Sequence, residues 1–581
     1  MPPLVLLDSF GAGCSPSWRF GGYRETLVAY RLEEVLPVIA AAEAAAAAGH
    51  YVAGFIAYEA ASALNPELPA LLPQAGLPLV WFAVFAERLA VPAGAGFTET
   101  AASPSQLLPQ ISVEAYCNKV EQARSLIAAG ESYQVNYTFP LTGEFSGDPL
   151  KLYRSVCASQ RAQFAALIDT GEQVIISASP ELFFSLKDGV ITTRPMKGTA
   201  PRGRWLAEGR ILAERLKASP KERAENLMIV DLLRNDLGRI AVTGSVKVDS
   251  LFDIEQYPTV QQMTSTVSAT VRDEVSLADV LGALFPCGSI TGAPKRRSMA
   301  IISELEERPR GVYCGAIGCL SPGREALFSV AIRTLLLDSA SGRISMGVGS
   351  GITYDSRPEA EYAESIAKAA FLVAGMDDFH LFETLRLDSG VYGRLERHLA
   401  RLADSAAYFG FNFDRDEAIK LLEKLELPGE EPLRVKLMLS SSGCLTVTSG
   451  PIAAEPSPLV VGLAASRLDP ANRLLYHKTS CRDLYGAEKE KRPDCSELLF
   501  LNNRGELAEG SYNNIVLRMS GRLVTPPVES GLLPGVMRAE LIDQGEVMEQ
   551  ILYPQDLFAA DEILLVNSLR GIRRAVLGEK P

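Results

Sequence analysis

Two lysines stand where a solvated lysine has little reason to be. Lys197 lies in RPMKGTAPRG, residues 194 to 203, a tight run of glycine, proline and arginine after the strand-like GVITTRP. Lys478 lies in LLYHKTSCRDLY, between His477 and a turn-like Thr-Ser pair. An amine is a nucleophile only without its proton, and from a reference pKa of about 10.4 that costs about 4.6 kcal/mol at neutral pH. Burial or nearby cations lower the cost. Each lysine also has an ordinary reading, as a surface or strand-end ion pair. For Lys197 the candidate partner is Glu181 in SPELFF, on the strand before the hairpin that leads to the lysine. Such an acid beside an amine is either a catalytic pair or a salt bridge.

Further residues could serve these two. Glu361 and Glu364 in RPEAEYAESIAKAAF share a helix face, and Glu225 in ERAENLMIVDLLRNDLGR opens another helix-like run. Carboxylates completed by water and a substrate carboxylate suit Mg²⁺, although solvated acids on amphipathic helices look the same. MGVGSGITYDS, residues 346 to 356, ends a strand in glycines that admit a ligand close to the backbone. It is no dinucleotide fingerprint, since G-x-G-x-x-G is not satisfied. Around Lys478 the sequence supplies a carboxylate, Glu509 in GELAEGSYNNIVL, and a helix start at Gly535 in GLLPGVMRAELI. The amides of Val536 and Met537 there could hold a phosphate, with Arg394 in YGRLERHLARL adding charge. A lysine, a carboxylate and a phosphate cradle are what pyridoxal phosphate needs.

The elements that must position these groups follow from patterning. A chain of 581 residues exceeds one ordinary core. The β runs FAALID, QVIISAS, ELFFSLKDG and GVITTRP, the last two joined by a Lys-Asp-Gly hairpin signal, alternate with amphipathic helices. That pattern predicts antiparallel sheets with helices packed outside. GAGFTETAASPSQLLPQ, residues 94 to 110, reads as a surface loop. The alanine-rich VLPVIAAAEAAAAAGHYVAG carries Glu43 and His50 and reads as a core helix, and no signal peptide or membrane span is expected. After the helical EAEYAESIAKAAFLVAGM a new hairpin pattern, FHLFETLRLDSGVYGRL, begins at once, which places a domain boundary near 376 and predicts domains 1–375 and 376–581. A net charge of -13 argues against nucleic acid but leaves room for a local basic pocket. Nine scattered cysteines without C-x-x-C fit a reducing cytoplasm.

Residues 1 to about 375 resemble the chorismate-utilising enzymes, through the ordered segments ESYQVNYT, SPELFF, RPMKGTAPRG, AENLMIVDLLRNDLGR, GSITGAPKRRSM, GVYCGAIGCLS, AIRTLLL and GVGSGITYDSRPEAEYAESIAKA. The resemblance implies that family's α+β sandwich. The residue before Gly-Thr divides the family: members that make anthranilate carry alanine, and members that aminate C4 of chorismate carry lysine, as Lys197 does. It further implies that Lys197 attacks C2 of chorismate while Glu181 protonates the departing C4 hydroxyl, after which ammonia attacks C4 and releases the lysine. Glu225, Glu361 and Glu364 would hold Mg²⁺, while Thr199, Tyr313, Arg333, Lys368 and the backbone of Gly349, Ser350 and Gly351 would hold the substrate. The sequence departs from the family at Asn226, where Glu-His is common, and at Asp8, where tryptophan-binding relatives have glutamate. No Gly-x-Cys-x-Gly elbow is present, so ammonia is expected from solution or from a separate glutamine amidotransferase subunit.

Residues 378 to 575 are similar to class IV pyridoxal phosphate enzymes, through FETLRLDSG, SELLFLNNRGELAEGSYNNI, TPPVESGLLPGVMR and VNSLRGI. That resemblance implies a two-lobed α/β domain with the cofactor on Lys478 and Glu509 at its ring nitrogen. The class includes aminotransferases and a lyase that eliminates pyruvate from aminodeoxychorismate to give p-aminobenzoate, a folate precursor. Fusion to a chorismate-aminating domain favours the lyase, with Lys478 removing the C4 proton. An aminotransferase and a non-catalytic interaction module stay open, as does a homodimer through this domain.

Overall fold

The computed structural model describes residues 2–10, 16–92, 94, 102–372, 379–425 and 431–578. The chain divides into two compact units, Met1–Arg202 with Ala213–Met376, and Gly203–Leu212 with Asp377–Pro581. The join expected near 376 and residues 95–101 of the loop expected over 94–110 fall outside the described residues, and within the rest of that loop Leu108–Pro109 forms a short strand against Gln134–Glu144.

The first unit is a serpentine of antiparallel strands. Ser17–Ala29 pairs with Val80–Val91, which pairs with Tyr51–Ile56, then Ala316–Ser321, Glu325–Val330, Leu182–Lys187, Val190–Arg194 and Val260–Thr270. In the other direction Leu4–Asp8 leads to Phe164–Asp169, Gln173–Ser179, Thr334–Asp338, Arg343–Ile352 and Gln134–Glu144. Side chains alternate across these strands, and both faces are buried. Ala53, Phe55, Ala83 and Phe85 from one half meet Ala166, Ile168 and Ile175 from the other, forming the inner layer of a sandwich. Their neighbours point outward: Val52, Ile56, Phe82 and Val84 pack under the helices Leu32–Ala47, Pro220–Gly238 and Leu277–Leu284. Leu167 and Ile176 pack under Val113–Ala128, Pro149–Gln160 and Lys295–Leu305. The expected antiparallel sheets with outer helices are present, and the alanine-rich run forms a helix with Val35, Ile39 and Ala42 in the core. Each fully buried Phe or Ile in these layers contributes about 1.5 to 3 kcal/mol.

The second unit has two lobes. Leu381–Asp388, Val391–Tyr392, Leu433–Leu439 and Leu445–Pro451 form a small antiparallel sheet. Its alternately buried leucines pack on one face of the helix Leu395–Phe409, through Leu399, Leu402 and Ala406. The larger, eight-stranded sheet is mixed, with Leu459–Leu468 parallel to both Glu497–Asn502 and Gly571–Leu577. Among the described residues no helix is long and apolar enough to cross a membrane.

Candidate active sites

Glu181 and Lys197 leave the same end of one hairpin. The strands Leu182–Lys187 and Val190–Arg194 pair as far as Leu182 with Arg194, so Glu181 lies one residue beyond the last pair and Lys197 three. Lys197 belongs to the strand Met196–Pro201, whose register against Val260–Thr270 shifts between Met196 and Thr199. That bulge, with Gly198 at φ 93°, re-aims the lysine out of the regular ladder.

Both groups line a cavity of about 230 Å³. The Glu181 side chain is buried and accepts a hydrogen bond from Ser289 Oγ at 2.5 Å. Burial pushes its carboxyl up to about 7, against the opposing pull of Ser289 and Lys197. Burial likewise pushes the Lys197 amine down, against Glu181 and Glu225. Burial thus moves both groups towards their neutral forms, the direction that general-acid and nucleophilic catalysis need.

Thr199, Tyr313, Arg333, Gly349, Gly351 and Lys368 line the same cavity. Arg333 sits at φ 51°, a left-handed conformation that costs a non-glycine residue energy, and Nη1 donates to Gln160 Oε1 at 2.6 Å. Lys368 Nζ donates to the carbonyl of Gly349 at 2.8 Å and pairs with Glu364 at 2.9 Å. A Cβ at Gly351 would lie 2.1 Å from Gln134 Nε2 and 3.4 Å from Lys197 Nζ, so only glycine leaves this approach clear. Between Gly349 and Gly351, Ser350, expected to contribute its backbone, turns its hydroxyl to the helix side, buried against Tyr116 OH at 3.2 Å. Gln134 was missed by sequence reasoning: it lines the cavity, and its buried Oε1 has no partner. Its place at the start of the strand in ESYQVNYT carried no local signal of this.

Glu225, Glu361 and Glu364 also line the cavity, joined by Glu222. Burial raises Glu225 and Glu222, and mutual repulsion adds to it, from Glu222 and Glu361 on the first and from Glu364 on the second. Among the described residues no group of three carboxylate, imidazole or thiol side chains converges closely enough to cage a metal. Four carboxylates spread around one small cavity fit a hard divalent cation that takes its remaining ligands from water and substrate.

In the second unit Lys478 follows the short turn Arg473–Tyr476, and its own carbonyl accepts from Phe382 N at 3.0 Å, stitching it to the small sheet. It lines a cavity of about 670 Å³ together with Glu509, Gly535 and Val536, a size suited to a small-molecule site. Burial pulls Lys478 down to about 7, with Arg401 adding and Glu383 and Glu509 opposing. Nζ lies 4.8 Å over the Phe382 ring. Glu509, on the strand Leu507–Gly510, accepts from Tyr485 OH at 2.5 Å and from Leu533 N at 2.9 Å. Gly535 caps the helix Val536–Asp543, and a Cβ there would lie 2.0 Å from Asn514 Oδ1. A buried amine, a fixed carboxylate and an open helix start with no room for a side chain fit pyridoxal phosphate.

One expected cradle residue is corrected. Arg394 Nε donates to Glu540 Oε2 at 2.5 Å, and the residue is absent from the cavity wall. At φ 56° it turns the chain into the helix Leu395–Phe409 and is aimed away. The Met537 side chain packs with Val516, Leu541 and Leu564, which leaves its backbone amide in the first turn of the helix. The cations that line the wall are Arg401 and Arg482 among others. Arg401 donates to both oxygens of Glu383, at 2.8 and 2.7 Å, and to Pro534 O at 3.1 Å. Burial alone would raise Glu383, yet Arg401 and His398 outweigh it and hold the carboxyl down to about 2.

Residues 11–374 match the family model of chorismate binding enzyme, and residues 380–577 that of amino-transferase class IV. Aminodeoxychorismate synthase component 1 of Klebsiella aerogenes is 43% identical over 282 residues, 48% of this chain and 61% of that one. The protein of the same name from Escherichia coli K12 is 44% identical over 255 residues, 44% of this chain and 56% of that one. The matched regions thus span 61% and 56% of the length of these curated relatives. The crystal structure of anthranilate synthase component I from Streptococcus pneumoniae matches with a TM-score of 0.53 at 27% identity, covering 64% of this chain and 92% of that one. With well over half its length inside the first match, the chain belongs to the chorismate binding enzymes and continues into a class IV aminotransferase domain.

Proposed function

We propose that the two cavities catalyse consecutive steps to p-aminobenzoate: amination of chorismate at C4, then elimination of pyruvate. The observation that carries the reading is the pairing of Lys197 with Glu181 in one cavity, the amine shifted down and the acid up to about 7. Relatives named aminodeoxychorismate synthase component 1 support the first step, and the class IV domain that follows supports the second.

In the first cavity neutral Lys197 attacks C2 of chorismate as Glu181 gives its proton to the C4 hydroxyl, which leaves as water. Ammonia then attacks C4, the C2–lysine bond breaks, and the proton shed on the way returns to Glu181. The sum is chorismate plus ammonia giving aminodeoxychorismate plus water. Tyr313, Arg333 and Lys368 supply donors for the two carboxylates of the substrate. Glu225, Glu361 and Glu364, with Glu222, would hold Mg²⁺, which offsets carboxylate charge beside the acid. Ammonia comes from solution or from a separate amidotransferase subunit. The scattered free cysteines support a reducing, cytoplasmic setting.

In the second cavity Lys478, Glu509 and the helix start at Gly535, with the amides of Val536 and Met537, would hold pyridoxal phosphate. When bound, the cofactor supplies a sink for the electron pair left on proton removal. Lys478, near neutrality at about 7, takes the C4 proton. The C3–oxygen bond breaks, and the departing enolpyruvate gains a proton to become pyruvate, leaving p-aminobenzoate.

The first step is tested by incubating the full chain with chorismate and Mg²⁺ without ammonia, then mapping peptides by mass. An adduct of chorismate less water on Lys197 is the expected result. An unmodified Lys197 alongside turnover once ammonia is added would refute the nucleophilic role.

A further inference from the structure

The cavity around Lys478 is basic within an acidic protein. Seven lysine or arginine side chains and three glutamates line it, whereas the whole chain carries a net charge of -13. Part of that excess lies outside the cofactor-holding set. Arg434 and Lys436 stand two apart on the strand Leu433–Leu439, and Arg570 and Arg573 flank the start of Gly571–Leu577. An adjoining cavity of about 240 Å³ shares Glu455, Arg570 and Arg573 with the first, so these three stand at the junction.

The junction is short of negative charge. Arg570 and Arg573, 19% and 18% exposed, share one carboxylate, Glu455, which is 36% exposed. Arg570 Nε lies 3.2 Å from Glu455 Oε1, and Arg573 Nη1 donates to Oε2. Arg573 Nη2 donates to Asn513 Oδ1 at 2.6 Å, while its buried Nε has no acceptor. Two guanidiniums on one carboxylate leave a net positive charge and an unmet donor where water is scarce. Burial lowers Arg573, with Glu455 and the buried Glu497 opposing and Arg570 adding. Glu455 lies in residues 452–458, which belong to no helix or strand, so it can swing away without breaking a ladder.

We propose that Arg570 and Arg573 form a carboxylate-recognition subsite, in which Glu455 stands in for a substrate carboxylate remote from the reacting amine. The subsite rests on the lyase reading for its substrate, since aminodeoxychorismate and p-aminobenzoate both carry a ring carboxylate para to the amine. A guanidinium pair meets a carboxylate with bidentate, charge-assisted hydrogen bonds and gains little from a neutral amide.

The test uses the full chain loaded with pyridoxal phosphate and two probes, p-aminobenzoate and p-aminobenzamide. Binding is read from the cofactor's absorbance, which reports only the second cavity. The acid should bind about tenfold tighter or more. That preference should collapse in Arg573→Gln and widen in Glu455→Gln, where the internal competitor is gone. Equal binding of acid and amide by the wild type, or an undiminished preference in Arg573→Gln, would overturn the proposal. Should Arg573→Gln fail to hold the cofactor, an unchanged acid affinity in Glu455→Gln would overturn it instead. A chain that prefers the acid but releases no pyruvate from aminodeoxychorismate sinks the lyase reading and keeps the subsite. Pyruvate release without the preference sinks the subsite alone.

Discussion

Removing the Ser289 hydroxyl should move the alkaline limb of the first reaction's pH profile upward. Ser289 Oγ donates to Glu181 Oε1 at 2.5 Å and is the foremost influence holding that carboxyl down against burial. A hydrogen bond to a charged group is worth about 1.5–3 kcal/mol, and one pKa unit about 1.4 kcal/mol. Ser289→Ala therefore lifts the acid from about 7 by roughly one to two units. Glu181 acts in its protonated form, so activity is lost as pH rises through its pKa, and a higher pKa carries activity to higher pH. The assay is the initial rate of chorismate consumption at subsaturating substrate over pH, with un-ionised ammonia held constant so that its own titration drops out. An alkaline limb that stays in place or moves down in Ser289→Ala would refute the assignment of Glu181 as the acid.

Lys478→Ala should lose the long-wavelength absorbance of covalently held pyridoxal phosphate while C4 amination continues, so that aminodeoxychorismate accumulates on chromatography. Gly535→Ala puts a Cβ 2.0 Å from Asn514 Oδ1, which should weaken cofactor binding by about tenfold or more in a titration of the apo protein; unchanged affinity would remove the helix start from the site. Glu383→Gln breaks a buried pair and should destabilise its unit by about 3–5 kcal/mol in chemical denaturation. The folded value of Glu383 is lowered, so its contribution is present above the unfolded pKa of about 4.3 and is lost as pH falls towards about 2. Wild-type stability should decline over that window, and the decline should shrink in the variant.

The parts of the site that sequence could show were those fixed by short-range geometry. Lys-Asp-Gly set a hairpin, and the hairpin set which end Glu181 and Lys197 leave from. Glu361 and Glu364 on one helix face needed only helical periodicity to reach one cavity. What sequence could not show was orientation decided at long range. Arg394 and Arg401 lie two turns apart on one stretch, and either could have faced a phosphate. Glu540, far along the chain, draws the first away, whereas Glu383 and Pro534 O draw the second in. Ser350 sits between two glycines that approach the cavity, and strand alternation, invisible until register is known, turns its hydroxyl to Tyr116. Gln134 and Ser289 matter through where the sandwich brings them, which no local pattern encodes. The second unit also takes in Gly203–Leu212, from the middle of the stretch read as one continuous first domain.

The central claim is that two lysines act in sequence on one carbon skeleton. The most direct test supplies the purified full chain with chorismate, Mg²⁺, ammonia and pyridoxal phosphate and follows p-aminobenzoate and pyruvate, beside Lys197→Ala and Lys478→Ala. Wild type should make both products in equal amounts, Lys197→Ala neither, and Lys478→Ala only aminodeoxychorismate. Anthranilate from the wild type would contradict the role given to Lys197. A reaction that stops at aminodeoxychorismate in the wild type would contradict the role given to Lys478.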